Sequence, residues 1–446
     1  MGAAPLPISR WRSTAVLLLT MLGVLCGWQP ATTQAQVPAQ VYYVTLRYGL
    51  TEPAAHLARR ALREAEAAGA TALIVEVRGG GSLRAAWPLA RDLAAARVPV
   101  VVYIAPRGTS GGPVGALLLA ASHVAAMAPE ASVGVAAPLV VAPAGVRPTT
   151  QQLLVEDAAR QVTAWARARG RNAAWFEQAV RQGAIIDAER ARALEPPLIE
   201  LVATPEELLA GLQGRRVVLE DGSQRTLETL GARVQPVRPT LLESIGQLLA
   251  LPTVAFLLFV LGGLAIYLEL TTPGMGIPGA TGALLVLAAL VGFVLGDVRA
   301  WAVLLLAVAL VVIGLEHVVA SHGALTLLGV VLLALGAIML VDPARAPGLR
   351  VSPLVIGGVV ALLGSAAFGL ALLTVRLRRQ RPVTGQEALI GRIAEVRKAV
   401  DPEGQVFVNG ALWLAWSDEG PFHEGELVRV AGVHGLRLYV QRVSEE

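Results

Sequence analysis

Between Thr253 and Val375 the chain carries five apolar runs, at 253–270, 280–296, 301–319, 323–341 and 354–375, parted by short breaks rich in Gly, Pro, Asp, His or Arg. A helix rises 1.5 Å per residue, so ~20 residues cross the ~30 Å hydrocarbon core of a bilayer. Most of the runs approach that length. The first two are short enough to require tilt, local thinning or a re-entrant path. A soluble helix of this size shows a polar stripe, and these runs do not. With 54 % hydrophobic and 16 % charged residues overall, part of the chain must reside in lipid. Residues 253–375 therefore predict a multi-pass transmembrane region of about five spans. Glu269, Glu316, His317 and His322 lie near the run ends, where headgroups hydrate them, so they do not predict an ion pathway.

Residues 1–35 read as a secretory signal, with Arg10 and Arg12 ahead of an apolar stretch from Ala15 to Leu25 and a small-residue cleavage site at Thr33-Gln34-Ala35. An uncleaved anchor is the alternative, and either one exports the segment behind it. Cys26, the single cysteine, sits behind Gly23-Val24-Leu25, a poor lipobox; the rest of the chain has no thiol chemistry. No metal or cofactor is expected. Five spans starting outside place the C-terminus inside, and Arg376, Arg378, Arg379 and Arg381 after the last run agree. Arg299, Arg345 and Arg350 in the outer breaks pull the other way. The expected location is the cell (inner) membrane, with residues 36–240 extracytoplasmic and 376–446 cytoplasmic.

Residues 36–235 alternate strand and helix patterns. Strands are predicted at 41–46, 71–77, 98–104 and 124–128, and helices at 52–68, 83–96 and 112–122. This order implies an α/β domain built on a mainly parallel sheet. Ligands of such sheets sit at the carboxyl ends of the strands. Two turns fall there, Arg78-Gly79-Gly80-Gly81-Ser82 and Pro106-Arg107-Gly108-Thr109-Ser110-Gly111-Gly112, so Gly79, Gly80, Gly81, Gly111 and Gly112 are the expected groove residues.

The run PVVVYIAPRGTSGGPVGALLLAASHVAAMAPEASVGVAAP resembles the nucleophile region of the NfeD family, membrane-bound serine-protease-like proteins of the ClpP/crotonase superfamily. GRNAAWFEQAV is similar to the family's post-catalytic helix, and ELTTPGMGIPG to its E-L-x-x-P-G-x-G-x-P-G signature. The resemblance covers most of residues 41–446. It implies a ClpP/crotonase-like exported domain, a helical membrane block and a small β-barrel tail. In proteolytic members, it further implies a Ser–Lys dyad that cleaves hydrophobic segments, including stretches of stomatin-like partners.

The dyad positions depart from that pattern. The family's P-R-G-A-S-A-A-S-A-G carries its nucleophile at the second serine, and that position here is Pro113. Proline suits the first turn of a helix but has no hydroxyl. The family's lysine falls on Leu153, and Lys398, far outside the exported segment, is the only lysine in the chain. Arginine cannot stand in, because a guanidinium does not release its proton at working pH. The family's D-T-P-G-G-L reads Arg78-Gly79-Gly80-Gly81-Ser82-Leu83, whose amides could still face an oxyanion. Ser110, at the family's first serine, is an alternative nucleophile, with His123 or His56 as its base. A crotonase-style acyl-CoA site is set aside, because an exported domain rarely meets coenzyme A. The expectation is a pseudoprotease; the alternative is an active membrane-bound serine endopeptidase with a rearranged site.

Val234–Pro239 (VQPVRP) reads as an extended linker, and residues 236–252 as a linker or an interfacial helix. Residues 384–446 show about five short alternating strands between Gly and Pro turns, the pattern of an all-β OB-like barrel, and resemble the family's C-terminal domain. Trp413 and Trp416 are followed closely by Asp418, Glu419, Glu424 and Glu426, which disfavours nucleic acid. The expected partners are the lipid bilayer and, from the resemblance, a stomatin/flotillin-like membrane protein. A homo-oligomer is a further expectation, since crotonase-like domains often self-associate.

Overall fold

The computed structural model describes Gly2 and residues 39–135, 148–272, 274, 276–319, 321–379 and 386–443; the signal segment 1–35 otherwise lies outside the described residues. The chain begins its fold with β1 (Gln40–Leu46), α1 (Glu52–Ala67), β2 (Ala72–Val77), α2 (Leu83–Ala94), β3 (Val100–Ile104), α3 (Gly112–Ala121) and β4 (Val124–Met127). Each lies within two residues of its predicted ends. Every residue of β2 (ALIVEV) and β3 (VVVYI) is buried, as strands covered by helices on both faces must be. Helix α1 turns Ala54, Leu57, Ala58, Ala61, Leu62 and Ala65 inward at helical spacing. Its small alanines let the helix lie close against the sheet.

Next come β5 (Ser132–Val135), α4 (Pro148–Ala168), α5 (Ala173–Arg181), β6 (Ala184–Asp187), α6 (Ala188–Ala193), β7 (Leu201–Val202), α7 (Pro205–Leu212), β8 (Arg216–Val218), β9 (Gln224–Thr226) and β10 (Arg233–Pro236). The six-stranded sheet has the order β10-β1-β2-β3-β4-β7, with all pairs parallel. One reading needs correction: VQPVRP begins within the edge strand β10, not a linker. Arg233–Pro236 pair with Gln40–Tyr43. Proline is tolerated there because an edge strand needs donors on one side only.

The motif GRN has a structural explanation. Arg171 is fully buried; its Nη1 donates to the carbonyls of Leu119 (2.5 Å) and Ser122 (3.0 Å) at the end of α3. Its Nε and Nη2 bind the Glu200 carboxylate at 2.8 and 3.0 Å. A cation is thus placed on the carbonyl end of a helix, where its charge is favoured. Asn172 then accepts from the Trp175 amide at 3.0 Å and caps α5.

The apolar block forms α9 (Pro252–Thr271), α10 (Ile277–Leu295), α11 (Ala300–Val319), α12 (Ala324–Met339) and α13 (Pro353–Arg379), preceded by α8 (Leu241–Leu249). Four of the five are long and apolar enough to cross a membrane; α12 has 16 residues. At 1.5 Å per residue it is ~24 Å long, short of the ~30 Å core. Helices α9 and α10 meet through glycines: a Cβ at Gly282 would lie 2.6 Å from the Gly262 carbonyl oxygen. Such small contacts let membrane helices approach closely. Thr240 and Glu243 cap the start of α8, and Glu243 binds Arg60 of α1 at 2.8 Å. Glu316 is buried and accepts from Ser321 Oγ (2.6 Å) and the amides of Gly323 (2.7 Å) and Thr326 (3.2 Å). It caps the start of α12, where unpaired N–H groups favour an anion.

By contact density the chain divides into two compact units, one running to Leu310 with Leu332–Ile356, the other Val311–Val331 with Gly357–Glu446. The second unit holds β11 (Ile393–Lys398), β12 (Glu403–Val408), β13 (Ala411–Trp416), β14 (Leu427–His434) and β15 (Arg437–Arg442). They close as β11-β12-β13-β15-β14, with β13 and β15 parallel, around Val396, Val406, Phe422, Val428, Val430, Leu438 and Val440. Closure leaves no free sheet edge. The fold class expected from the sequence is the one observed: an α/β domain, an apolar helical block and a small all-β barrel.

Candidate functional site

The two turns singled out in the sequence leave β2 and β3 at their carboxyl ends and meet. A Cβ on Gly112, whose φ is +59°, would touch the Gly80 Cα at 3.7 Å. Positive φ at Gly79 (+102°), Gly81 (+153°) and Gly112 explains why glycine recurs here. Arg78 is held by Glu76, a carboxylate that is 4 % exposed and accepts from Arg78 Nε (2.6 Å), Tyr43 Oη (3.0 Å) and Thr45 Oγ1 (2.9 Å). Burial, and then the Glu76 charge, push the Tyr43 phenol above its ordinary range. Arg78 therefore serves the turn as a structural ion pair, a role the motif comparison did not reveal.

Three amides at the end of the glycine turn already have acceptors. Gly81 N donates to Pro347 O (3.1 Å), Leu83 N to Arg345 O (3.0 Å) and Ser82 N to Leu50 O (2.7 Å). Ser82 Oγ donates to Asp297 Oδ2 at 2.5 Å. The segments after α10 and after α12 thus sit on the turn, and a Cβ at Gly80 would overlap the Pro347 carbonyl. Sequence reading offered these amides to an oxyanion; in the fold, those of Gly81 and Leu83 face carbonyls of the chain's own membrane block.

Pro113 begins α3 and is buried, lining a small apolar pocket with Ala116, Leu117, Val162, Phe176 and Val180. Leu153 is 64 % exposed on α4 and is not among the pocket-lining residues. Ser110 is exposed, and its backbone bridges to Ser132. His123 stands just before β4, at the amino-terminal edge of the sheet, whereas Ser110 follows β3 at the carboxyl edge. Five residues of strand at ~3.3 Å each separate the two edges, so they form no pair. His56 is exposed on α1, and no hydrogen bond joins it to Ser110 among the described residues. The same residues hold no cluster of three metal-ligating side chains. Among the described residues the site offers an apolar pocket and a glycine turn engaged by the chain's own carbonyls, and Ser110 makes no hydrogen bond to His56 or His123.

Two family models match: residues 253–375 fit the NfeD integral membrane domain, and 386–442 the NfeD-like C-terminal, partner-binding domain. The chain carries these two domains of the NfeD family over residues 253–442. It is 29 % identical over 402 residues to the membrane-bound protease PH1510 of Pyrococcus horikoshii, covering 86 % of this chain and 88 % of that protein. It is 24 % identical over 455 residues to the membrane protein NfeD1b of Bacillus subtilis, covering 96 % and 97 %. Among solved structures, the 1510-N membrane protease specific for a stomatin homologue, from P. horikoshii, is 23 % identical over 46 % of this chain and 96 % of its own, with a TM-score of 0.39. The C-terminal domain of the stomatin operon partner protein 1510-C, from the same organism, is 43 % identical over 14 % of this chain and 98 % of its own, with a TM-score of 0.14. The chain is an integral membrane protein.

Proposed function

We propose that this chain is a membrane scaffold whose protease-like domain does not hydrolyse peptides. The observation that carries the reading is Pro113 at the nucleophile position, in an exported segment that contains no lysine. A Ser–Lys mechanism needs a hydroxyl oxygen to attack and an amine of lowered pKa to take its proton. Pro113 and Leu153 supply neither group. The acceptors already on Gly81 N and Leu83 N support the same conclusion, because a tetrahedral oxyanion would find those donors engaged.

The scaffold's partner is a stomatin/flotillin-like membrane protein, a reading supported by the family resemblance and by the partner-binding description of residues 386–442. Sidedness follows from the same picture. The segments around Asp297 and Pro347 touch the exported domain, so α9, α11 and α13 run inward and α10 and α12 outward. With five crossings in the inner membrane, residues 376–446 are cytoplasmic.

The test is cleavage of an unstructured protein substrate by the full chain in nanodiscs, beside the Pro113→Ser/Leu153→Lys double variant. No turnover from the natural chain is the expected result. Turnover that Ser110→Ala abolishes would overturn the proposal and make the chain an endopeptidase with a rearranged site. Crosslinking to a stomatin homologue, lost on deleting 386–442, tests the partner.

A further inference from the structure

At the edge of the sheet opposite the two turns lies a cavity of about 320 Å³, bordered by His123, Arg169, Glu200, Arg215, Arg216 and Val218. His123 is 6 % exposed, and its Nδ1 accepts from the Val100 amide at 3.3 Å. In a neutral imidazole the proton then sits on Nε2. Burial, with Arg169 and Arg171 nearby, lowers the His123 pKa to about 3, so the ring is neutral at physiological pH. Nε2 is buried and has no hydrogen-bond partner among the described residues. Buried polar atoms are normally paired, so an unpaired N–H beside a cavity points to a ligand.

The cavity's charged lining is Arg169, Arg215, Arg216 and Glu200. Arg169 spends Nη1 on Val218 O (2.6 Å) and Nη2 on Ala94 O (3.2 Å), keeping Nε. Arg215 spends Nε on Gly211 O (2.8 Å) and Nη2 on Glu200 O (3.2 Å), keeping Nη1. Arg216 is exposed. Burial holds the Arg169 pKa below its ordinary value, with Arg171 adding to the effect and Glu220 and Glu200 opposing it. Of those carboxylates, Glu220 is exposed and Glu200 is already matched by Arg171 (2.8 and 3.0 Å) and by the Ala125 amide (2.6 Å). Three arginines and His123 therefore line a cavity whose one lining carboxylate is already engaged.

We infer that this cleft binds a soluble ligand through a phosphoryl group. A phosphate dianion brings a second negative charge and more oxygens to three guanidinium groups than a carboxylate, which has one charge and two oxygens. The membrane block meets the sheet at its carboxyl edge, through the glycine turn, and the cleft opens at the other edge. The phosphoryl group is therefore reached from the aqueous phase and not from the headgroups of the host bilayer.

The experiment titrates inorganic phosphate by calorimetry into the full chain in phosphatidylcholine nanodiscs, at ionic strength held constant with chloride. Arg216→Ala, which removes an exposed side chain, and Arg215→Met are run beside it. Saturable phosphate binding that each variant weakens about ten- to a hundred-fold is expected, as for loss of a charge-assisted hydrogen bond. Heat no greater than in the chloride control, or unchanged affinity in Arg216→Ala, overturns the inference. Wild-type binding abolished in phosphatidylglycerol nanodiscs overturns it too, by assigning the cleft to lipid headgroups.

Discussion

Replacing Gly80 with alanine tests the contact between the glycine turn and the membrane block. The Gly80 backbone does not lie in the left-handed region, so alanine is tolerated locally. Its Cβ would overlap the Pro347 carbonyl, and the segment 345–348 must withdraw. Withdrawal breaks the hydrogen bonds from Gly81 N and Leu83 N, at 3.1 and 3.0 Å. At ~0.5–1.5 kcal/mol net for each bond, the loss is about 1–3 kcal/mol. Ser82 remains tied to Asp297 at 2.5 Å, so the contact loosens without separating. Amide exchange reads this directly in the full chain in nanodiscs. Opening made easier by about 1–3 kcal/mol speeds exchange about 5- to 150-fold at Gly81 and Leu83. The strand β2, buried throughout, should exchange as before and serves as the control. Unchanged exchange at 79–83 would refute the argument, because those amides would then owe their protection to something other than Pro347 and Arg345. Acceleration across β2 as well would mean that the substitution unfolds the domain.

Two further perturbations concern other parts of the molecule. His123 has a folded pKa lowered to about 3, so its stabilising neutrality is complete above the unfolded value and is lost as pH falls toward the folded one. With ~6.5 for the unfolded imidazole, about 2 kcal/mol is lost by pH 5 relative to neutral pH. Denaturant titrations at pH 7 and pH 5 should show that difference in the natural chain and not in His123→Gln; equal losses in both would disprove it. In the membrane block, Gly282→Val would place its Cβ 2.6 Å from the Gly262 carbonyl and 2.8 Å from Ile266. Overpacking of this kind costs about 1–3 kcal/mol. Detergent-induced unfolding should come at a lower sodium dodecyl sulfate fraction than in the natural chain, and an unchanged midpoint would count against the close helix contact.

Much of the architecture was legible because periodicity records what each segment faces. Runs without a polar stripe marked the membrane helices, and the unbroken apolar VVVYI marked a strand covered on both sides. The alternation in residues 393–442 marked a barrel with one dry face. Residue identity alone also carries the chemical argument against a Ser–Lys dyad: whatever the fold, Pro113 has no hydroxyl and Leu153 no amine. Where the pattern was mixed, the reading failed. VQPVRP contains two prolines and looked like a linker, yet its first residues supply the edge strand beside β1.

Only the tertiary structure decided where the polar groups find partners. The Gly81 and Leu83 amides meet carbonyls from the far end of the membrane block, Arg171 closes a helix and a carboxylate distant in sequence, and His123 stands across the sheet from Ser110. Nothing local encodes these meetings. A side chain's sequence neighbours set its exposure through the helix or strand period, but its hydrogen-bond partner depends on which strands and loops the folded sheet brings together. Sequence by itself therefore determined the fold class and the membrane block, and put Pro113 and Leu153 where the resemblance expects a dyad; the engaged turn and the cationic cleft exist only once the chain has closed on itself.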